Sequence, residues 1–202
     1  RYYALGFGID NYGYVGTGYN DNYLKDFYRF DPTAAAGSQW TIVNGFGGQK
    51  RQGGTAFVID GKAYVCGGQN NNSDVSDFWC FDPSAATPWT QLRDIANTSD
   101  DDYDDDYTSI VRSYGVSFVI DGKAYLTLGS TAGGSYYSNY WIYDPATDLW
   151  EGDDLTAFEG STRIHAVCFS TGTRGIVATG GSGSSSYFDD TWELKPYEYE
   201  EE

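Results

Sequence analysis

Four stretches of this chain repeat one another position by position: RYYALGF, RQGGTAF, RSYGVSF and RIHAVCF. Each opens on an arginine (Arg1, Arg51, Arg112, Arg163) and places a phenylalanine six residues later (Phe7, Phe57, Phe118, Phe169), and the arginines stand 50, 61 and 51 residues apart. A period of this length means that one supersecondary unit recurs and that neighbouring units bury their apolar faces on each other.

The unit reads strand by strand. Soon after each Phe comes a turn, Asp10-Asn11, Asp60-Gly61 and Asp121-Gly122 in the first three repeats, which suits a tight hairpin because its central residues need positive φ. The chain returns through GYVGTG, AYVCGG, AYLTLG and GIVATGG, where glycines let backbone cross in places a Cβ would block. A polar loop leads into DFYRFDP, DFWCFDP, NYWIYDP and DTWELKP. Asp-Pro closes the first three, at 31–32, 82–83 and 144–145, with Asp to cap a turn and Pro to preset its φ. Trp40, Trp89 and Trp150 follow. Apolar residues alternate with period two and glycine is frequent, so a helical reading fails and each repeat is one four-stranded blade of a β-propeller. The expected fold is all-β, a single propeller domain over 1–202 with repeats at about 1–50, 51–96, 112–158 and 163–202 and an acidic insertion at 97–109.

The glycine pair, the aromatic-Asp-Pro and the spaced Trp together resemble the kelch family over nearly the whole chain. The RYYALGF and GYVGTGY patterns are similar to those of secreted or surface kelch proteins of Bacteroidetes-type bacteria. Leu128-Gly129 and Lys195-Pro196 depart from the pattern, and the fourth repeat runs into KPYEYEEE without a further Trp. The resemblance implies the last four blades of a propeller of six or seven, although a closed four-bladed ring lies within what the architecture permits. It also implies an extracellular, periplasmic or cell-surface setting, with a leader or lipid anchor outside the given chain, which contains no Met.

A net charge of -17, from 12 basic and 29 acidic residues, argues against a nucleic-acid partner, whose phosphates are held by Lys and Arg. No apolar run approaches the roughly 18 residues of a membrane helix. Three cysteines without a CxxC spacing give no zinc or redox motif. Cys66 and Cys80 fall on successive strands, where a bridge would require particular geometry, and three buried free thiols are the plainer reading.

If each inner strand starts with its Arg at the top, the top-face loops are 20–25, 69–76, 130–138 and 182–188, with the links that lead into each Arg. They bring Tyr23, Asn70, Asn72, Tyr136, Tyr137 and Tyr187 around Arg1, Arg51, Arg112 and Arg163. Amides and flat aromatics suit a glycan or a protein segment, and Asn also simply makes turns. The arginines are open to two readings: anchors for loop carbonyls and nearby Asp, or guanidiniums that hold a ligand carboxylate bidentately. The insertion places Asp100, Asp102, Asp104 and Asp106 close together, an oxygen-rich set that could hold calcium, though it lacks the Gly and distant Glu of an EF-hand loop.

His165 is the only histidine, so the chain cannot supply a two-His copper site, and no Ser/His/Asp or Cys/His arrangement can be argued from spacing. The expected function is a noncatalytic module that binds a glycan or a protein segment through its top face. A rival, resembling the kelch epimerases, is an enzyme for sugar acids with Arg163 on the carboxylate and His165 as acid or base. A third reading is a structural subunit, with partner subunits in an outer-membrane surface complex.

Overall fold

The computed structural model describes residues 1–152 and 156–196. Positions 153–155, within the expected third repeat, and 197–202, at the expected end of the fourth, lie outside the described residues. Four antiparallel sheets follow one another along the chain. The first is the meander β1 (Leu5–Ile9), β2 (Tyr12–Gly16), β3 (Phe27–Phe30) and β4 (Trp40–Val43). The second consists of β5 (Thr55–Ile59) and β6 (Lys62–Cys66), a small top-loop hairpin of β7 (Gln69–Asn70) and β8 (Ser73–Asp74), then β9 (Trp79–Phe81) and β10 (Trp89–Gln91). The third is β11 (Val116–Ile120), β12 (Lys123–Thr127), β13 (Tyr140–Asp144) and β14 (Leu149–Glu151). The fourth has β15 (Val167–Ser170) and β16 (Gly175–Ala178), the hairpin β17 (Gly181–Ser182) and β18 (Ser186–Tyr187), and β19 (Thr191–Leu194).

Local chemistry sets these boundaries. Asp60-Gly61 and Asp121-Gly122 both turn with positive φ (49° and 74°, 48° and 76°), which matches the twist of the strands they join. The Asp of each Asp-Pro accepts the N–H of the residue two positions on: Thr33 to Asp31 at 2.8 Å, Ser84 to Asp82 at 2.9 Å and Ala146 to Asp144 at 2.9 Å. The Ser84 hydroxyl and N–H, with Lys62 beside them, hold the Asp82 carboxyl at about 2. In the glycine pair both positions lie at positive φ in every blade, 57°, 62°, 59° and 61° for Thr17, Gly67, Leu128 and Thr179. Leu128 therefore keeps the backbone path. The second position has no such latitude, because a Cβ on Gly18 would sit 2.8 Å from the carbonyl oxygen of Tyr2.

Each of the first three blades buries its inner strand against the next blade. Leu5, Ile9 and Tyr14 pack on Ala63, Val65 and Phe81. Phe57, Ile59 and Tyr64 pack on Ala124, Leu126 and Tyr143, and Val116, Phe118 and Tyr125 pack on Val177. The outer-strand Trp closes the same seam, so Trp89 and Trp150 are only 4% and 5% exposed. At the two ends of the arc the equivalent groups are uncovered. Trp40 is 54% exposed where Trp89 is 4%, and Phe169 is 57% exposed where Phe118 is 2%. The four blades thus form a partial propeller with two unlike open faces.

The cysteines are free thiols, Cys66 buried and Cys80 and Cys168 half-buried. Cys80 sits opposite Tyr64 in the ladder rather than opposite Cys66.

This packing gives a testable contrast. Trp89→Ala should lower the unfolding free energy in urea by about 3–5 kcal/mol, the usual cost of emptying an aromatic core site. Trp40→Ala, at the equivalent but uncovered position, should cost under about 1 kcal/mol.

Candidate functional site

The four arginines begin the blades at the top, and each guanidinium turns into its own sheet. One amino group donates to the carbonyl sixteen residues on in every repeat: Thr17 at 2.9 Å, Gly67 at 3.2 Å, Leu128 at 3.1 Å and Thr179 at 3.0 Å. Nε of the last three donates two residues back, to Gln49, Ile110 and Ser161. The other amino group meets a residue just before the third strand: Asp26 at 2.7 Å from Arg1, Asp77 from Arg51, Asn139 at 3.1 Å from Arg112, and Asp190 at 2.9 Å from Arg163. Arg51, Arg112 and Arg163 are fully buried, and aromatic rings cover them, Tyr137 at 4.6 Å over Arg112 and Phe188 at 4.2 Å over Arg163.

This changes what the arginines can do. A ligand carboxylate cannot reach the buried guanidiniums of Arg51, Arg112 or Arg163, whose donors stitch the first, second and third strands of each blade together. Arg1 keeps partial exposure but already holds Asp26 in a bidentate pair. Arg112 differs from the others in having carbonyl and amide oxygens but no carboxylate among its bonded partners, and burial pushes its pKa down to about 10.

The residue two places after each arginine faces the axis instead. Tyr3, Gly53, Tyr114 and His165 all sit at left-handed φ, 55°, 63°, 59° and 59°. The Tyr3 and His165 rings stack at 5.1 Å with 13° between planes, and Tyr114 meets them edge-on at 5.1 Å and 4.5 Å. Gly53 makes room, since a Cβ there would lie 2.4 Å from the Tyr114 ring. The Tyr114 hydroxyl accepts from the amides of Gln52 and Gln69 at 2.8 Å and 2.9 Å, which fixes the ring. Tyr3 also meets Tyr2 at 5.0 Å, Tyr2 meets Tyr19 at 5.5 Å and Tyr19 meets Tyr23 at 5.0 Å. One continuous aromatic surface therefore runs from the axis out along the loop of the first blade. Beside it, His165, Ile164, Thr179, Phe188 and Tyr187 line a cavity of about 480 Å³, and Tyr187 is 82% exposed. Burial lowers the His165 pKa below its usual value, which favours the neutral imidazole.

Of the expected loop residues, Tyr23 and Tyr187 belong to this surface. Tyr136 accepts the N–H of Gly183 at 2.8 Å and ties the third blade to the fourth, while Tyr137 covers Arg112. Asn72 supplies a turn: with Asn71 it forms the two-residue link between β7 and β8, at φ 60° and 49°, and Asn70 pairs with Ser73 in that hairpin. Of the position after Arg-x the sequence marks only His165, as the one histidine; Tyr3 and Tyr114 carry no such mark because the position does not repeat as a residue type. Its signal is the variation Tyr, Gly, Tyr, His inside a frame that otherwise recurs.

The acidic insertion does not gather its carboxylates. Asp104 is buried in the loop and accepts the N–H groups of Thr98 at 2.9 Å and Ser99 at 3.0 Å. Burial opposes its charge, but those donors outweigh the cost and keep its pKa low. Asp100, Asp102 and Asp106 point to solvent, and among the described residues no group of three or more His, Cys, Asp or Glu is placed to hold a metal ion. No helix among them is long and apolar enough to cross a membrane.

Residues 50–92, the second blade, match the model of the Kelch motif. No curated protein matches the chain by sequence. Among solved structures, that of YjhT superposes on 96% of this chain with a TM-score of 0.74 at 20% identity. The chain spans 62% of the length of that structure. The fold is thus that of a kelch-type propeller, here in four blades.

Two outcomes follow for the clamps. Asn139→Asp should give Arg112 the carboxylate its three counterparts have and raise the melting temperature, by an amount matching about 1–2 kcal/mol for a charge-assisted bond. The Asp26 and Asp190 carboxyls are held low chiefly by the hydrogen bonds from Arg1 and Arg163. Their contribution is complete above the unfolded carboxyl pKa, near 4, and is lost as pH falls toward the folded values. Asp190→Asn should accordingly flatten the fall in stability below about pH 4 in acid titrations followed by circular dichroism.

Proposed function

We propose that this chain is a noncatalytic binding module, part of an exported propeller, that recognises an uncharged glycan on the aromatic surface at the top of its axis. The observation that carries the reading is the placement of Tyr3, Tyr114 and His165 in left-handed backbone at equivalent points of three blades. A side chain other than glycine costs roughly 1–2 kcal/mol there, and residues held in sparsely populated conformations cluster at binding sites. All three give that position an aromatic ring. Such rings offer stacking faces to a sugar at little cost in conformational entropy. The exposed Tyr187 supplies a further wall beside His165.

An uncharged ligand is favoured over an acidic one because the guanidiniums that could hold a carboxylate are committed to the sheets and the chain carries a net charge of -17. The same fact weighs against a sugar-acid enzyme. Arg163 is engaged by Asp190, and the His165 ring packs on Tyr3 and Tyr114. A protein segment offering aromatic or proline side chains would use the same stacking faces, and a glycan array with competing peptides separates the two.

Isothermal titration against neutral oligosaccharides and against uronic and sialic acids tests the reading. Neutral sugars should bind and acidic ones should not, and Tyr187→Ala should weaken binding about tenfold, as the loss of one stacking contact implies, with an unchanged melting temperature. Preference for acidic sugars, or full affinity in a Tyr3→Ala, Tyr187→Ala double variant that remains folded, would overturn it.

A further inference from the structure

The first two seams of the arc differ in charge at their lower corner, the end away from the clamped arginines. In the seam between the second and third blades, Tyr64 and Cys80 are cross-strand neighbours, and Tyr143 of the third blade meets the Tyr64 ring at 5.4 Å. The turn after β13 sends Asp148 into this corner, where its carboxylate accepts the Tyr143 hydroxyl at 3.0 Å. Burial first, and the Asp148 charge with it, pushes the pKa values of Tyr143, Tyr64 and Cys80 up. The corner therefore has its own carboxylate, within electrostatic reach of all three groups.

Between the first and second blades the frame is the same. Tyr14 and Arg29 are the cross-strand neighbours, so an arginine stands where Cys80 does one seam on. Phe81 takes the place of Tyr143, 5.2 Å from the Tyr14 ring. The turn after β9, DPSAATP, has no acid beyond Asp82, which is engaged by Ser84 and Lys62. Tyr14, Arg29, Thr41, Phe81, Pro83 and Pro88 line a cavity of about 340 Å³ in this corner. The Arg29 guanidinium lies over the Tyr12 ring at 4.5 Å, and its charge opposes the upward push of burial on the Tyr14 hydroxyl. Its Nε is enclosed with no hydrogen-bond partner, and among the described residues no carboxylate forms an ion pair with it. Asp31 is nearby, but its carboxylate accepts the hydroxyl and N–H of Thr33 at 2.7 Å and 2.8 Å instead. An enclosed donor without an acceptor is costly, and here the donor belongs to a cation.

We propose that the corner between the first and second blades binds the carboxylate of a small organic acid at Arg29, the place that the third blade fills at the next seam with its own Asp148. The planar guanidinium matches a carboxylate bidentately, and the Tyr14 hydroxyl beside it is a further donor. Phe81, Pro83 and Pro88 give an apolar wall for the body of the acid. A cavity of this volume is at the small end of ligand sites, which suits a single ring or a short chain. The net charge of -17 acts against an anion at a distance, but physiological salt screens charges separated by more than about 8 Å, so the contacting guanidinium prevails. This corner lies at the opposite end of the blades from the aromatic surface and takes a ligand of different charge, so it does not rest on the glycan reading.

The probe is benzoate, with benzamide as its uncharged counterpart, and binding is followed in proton–nitrogen correlation spectra through the Arg29 Nε–H signal and the backbone amides of Val43 and Phe81. Benzoate should move these signals saturably in the millimolar range, and benzamide should bind about tenfold more weakly or worse, because it lacks the charge that pairs with the fork. Arg29→Gln should abolish the benzoate response of the Val43 and Phe81 amides while circular dichroism and melting temperature report an intact fold. Arg29→Lys, which keeps the charge without the fork, should weaken it several-fold. Equal binding of benzamide, undiminished benzoate affinity in Arg29→Gln, or no response of the folded chain at about 100 mM benzoate, a ceiling well above millimolar affinity, overturns the proposal. Displacement of benzoate by an equal concentration of chloride overturns it too, because the corner then takes any anion rather than a carboxylate.

Discussion

A guanidinium buried at the head of a blade has five N–H donors to satisfy and a charge to neutralise, and the way each blade does this organises the rest of the molecule. Carbonyls two residues before and sixteen residues after the arginine, together with a carboxylate or amide just before the third strand, surround it. A buried cation without such partners would cost several kcal/mol, so the geometry of three strand ends is fixed together. The top loops are then anchored at their roots, and the residues between anchors can vary in sequence without loss of the frame. Where the partner is Asn139 rather than Asp, the carbonyls of Ser109, Ile110 and Leu128 take up the donors, so the clamp tolerates a neutral third partner.

With the arginines drawn inward, the mouth of the axis falls to the residue two positions later. The left-handed backbone there follows from the turn each blade makes into its inner strand, and glycine alone would adopt it without cost. Aromatic side chains at three of four such points form a packed, largely uncharged surface. The one glycine, Gly53, is where the neighbouring Tyr114 ring needs the space. Stacking on this surface and exclusion of anions by the surrounding acidic chain act in the same direction.

The seams between blades carry a second regularity. The first three blades present their inner-strand Phe to the next blade, and the second and third receive the preceding blade under their outer Trp, so the arc has a giving face and a receiving face that differ in chemistry. That asymmetry leaves Val167 and Phe169 exposed at one end and Trp40 and Ile42 at the other.

Much of the architecture was legible in the residues. The arginine spacing, the Asp-Gly and Asp-Pro turns and the outer Trp are short-range signals, each tied to a backbone conformation or a strand face within a few residues, and they suffice for blades, strand order and seams. Burial and partnership are not local. Whether Arg51 meets a ligand or Asp77 depends on a contact 26 residues away in sequence, and both outcomes suit an arginine equally well in isolation. Spacing along the chain likewise carries no direction: the fold turns Asp104 inward while Asp100, Asp102 and Asp106 face water. The sequence by itself determined that the chain is a row of four β-blades, since period, alternation and turn chemistry are properties of neighbouring residues. Only the tertiary structure decided that the arginines are clamps and that the Tyr3, Tyr114 and His165 rings meet one another. Those facts depend on which distant groups the closed sheets bring within a few ångströms of one another.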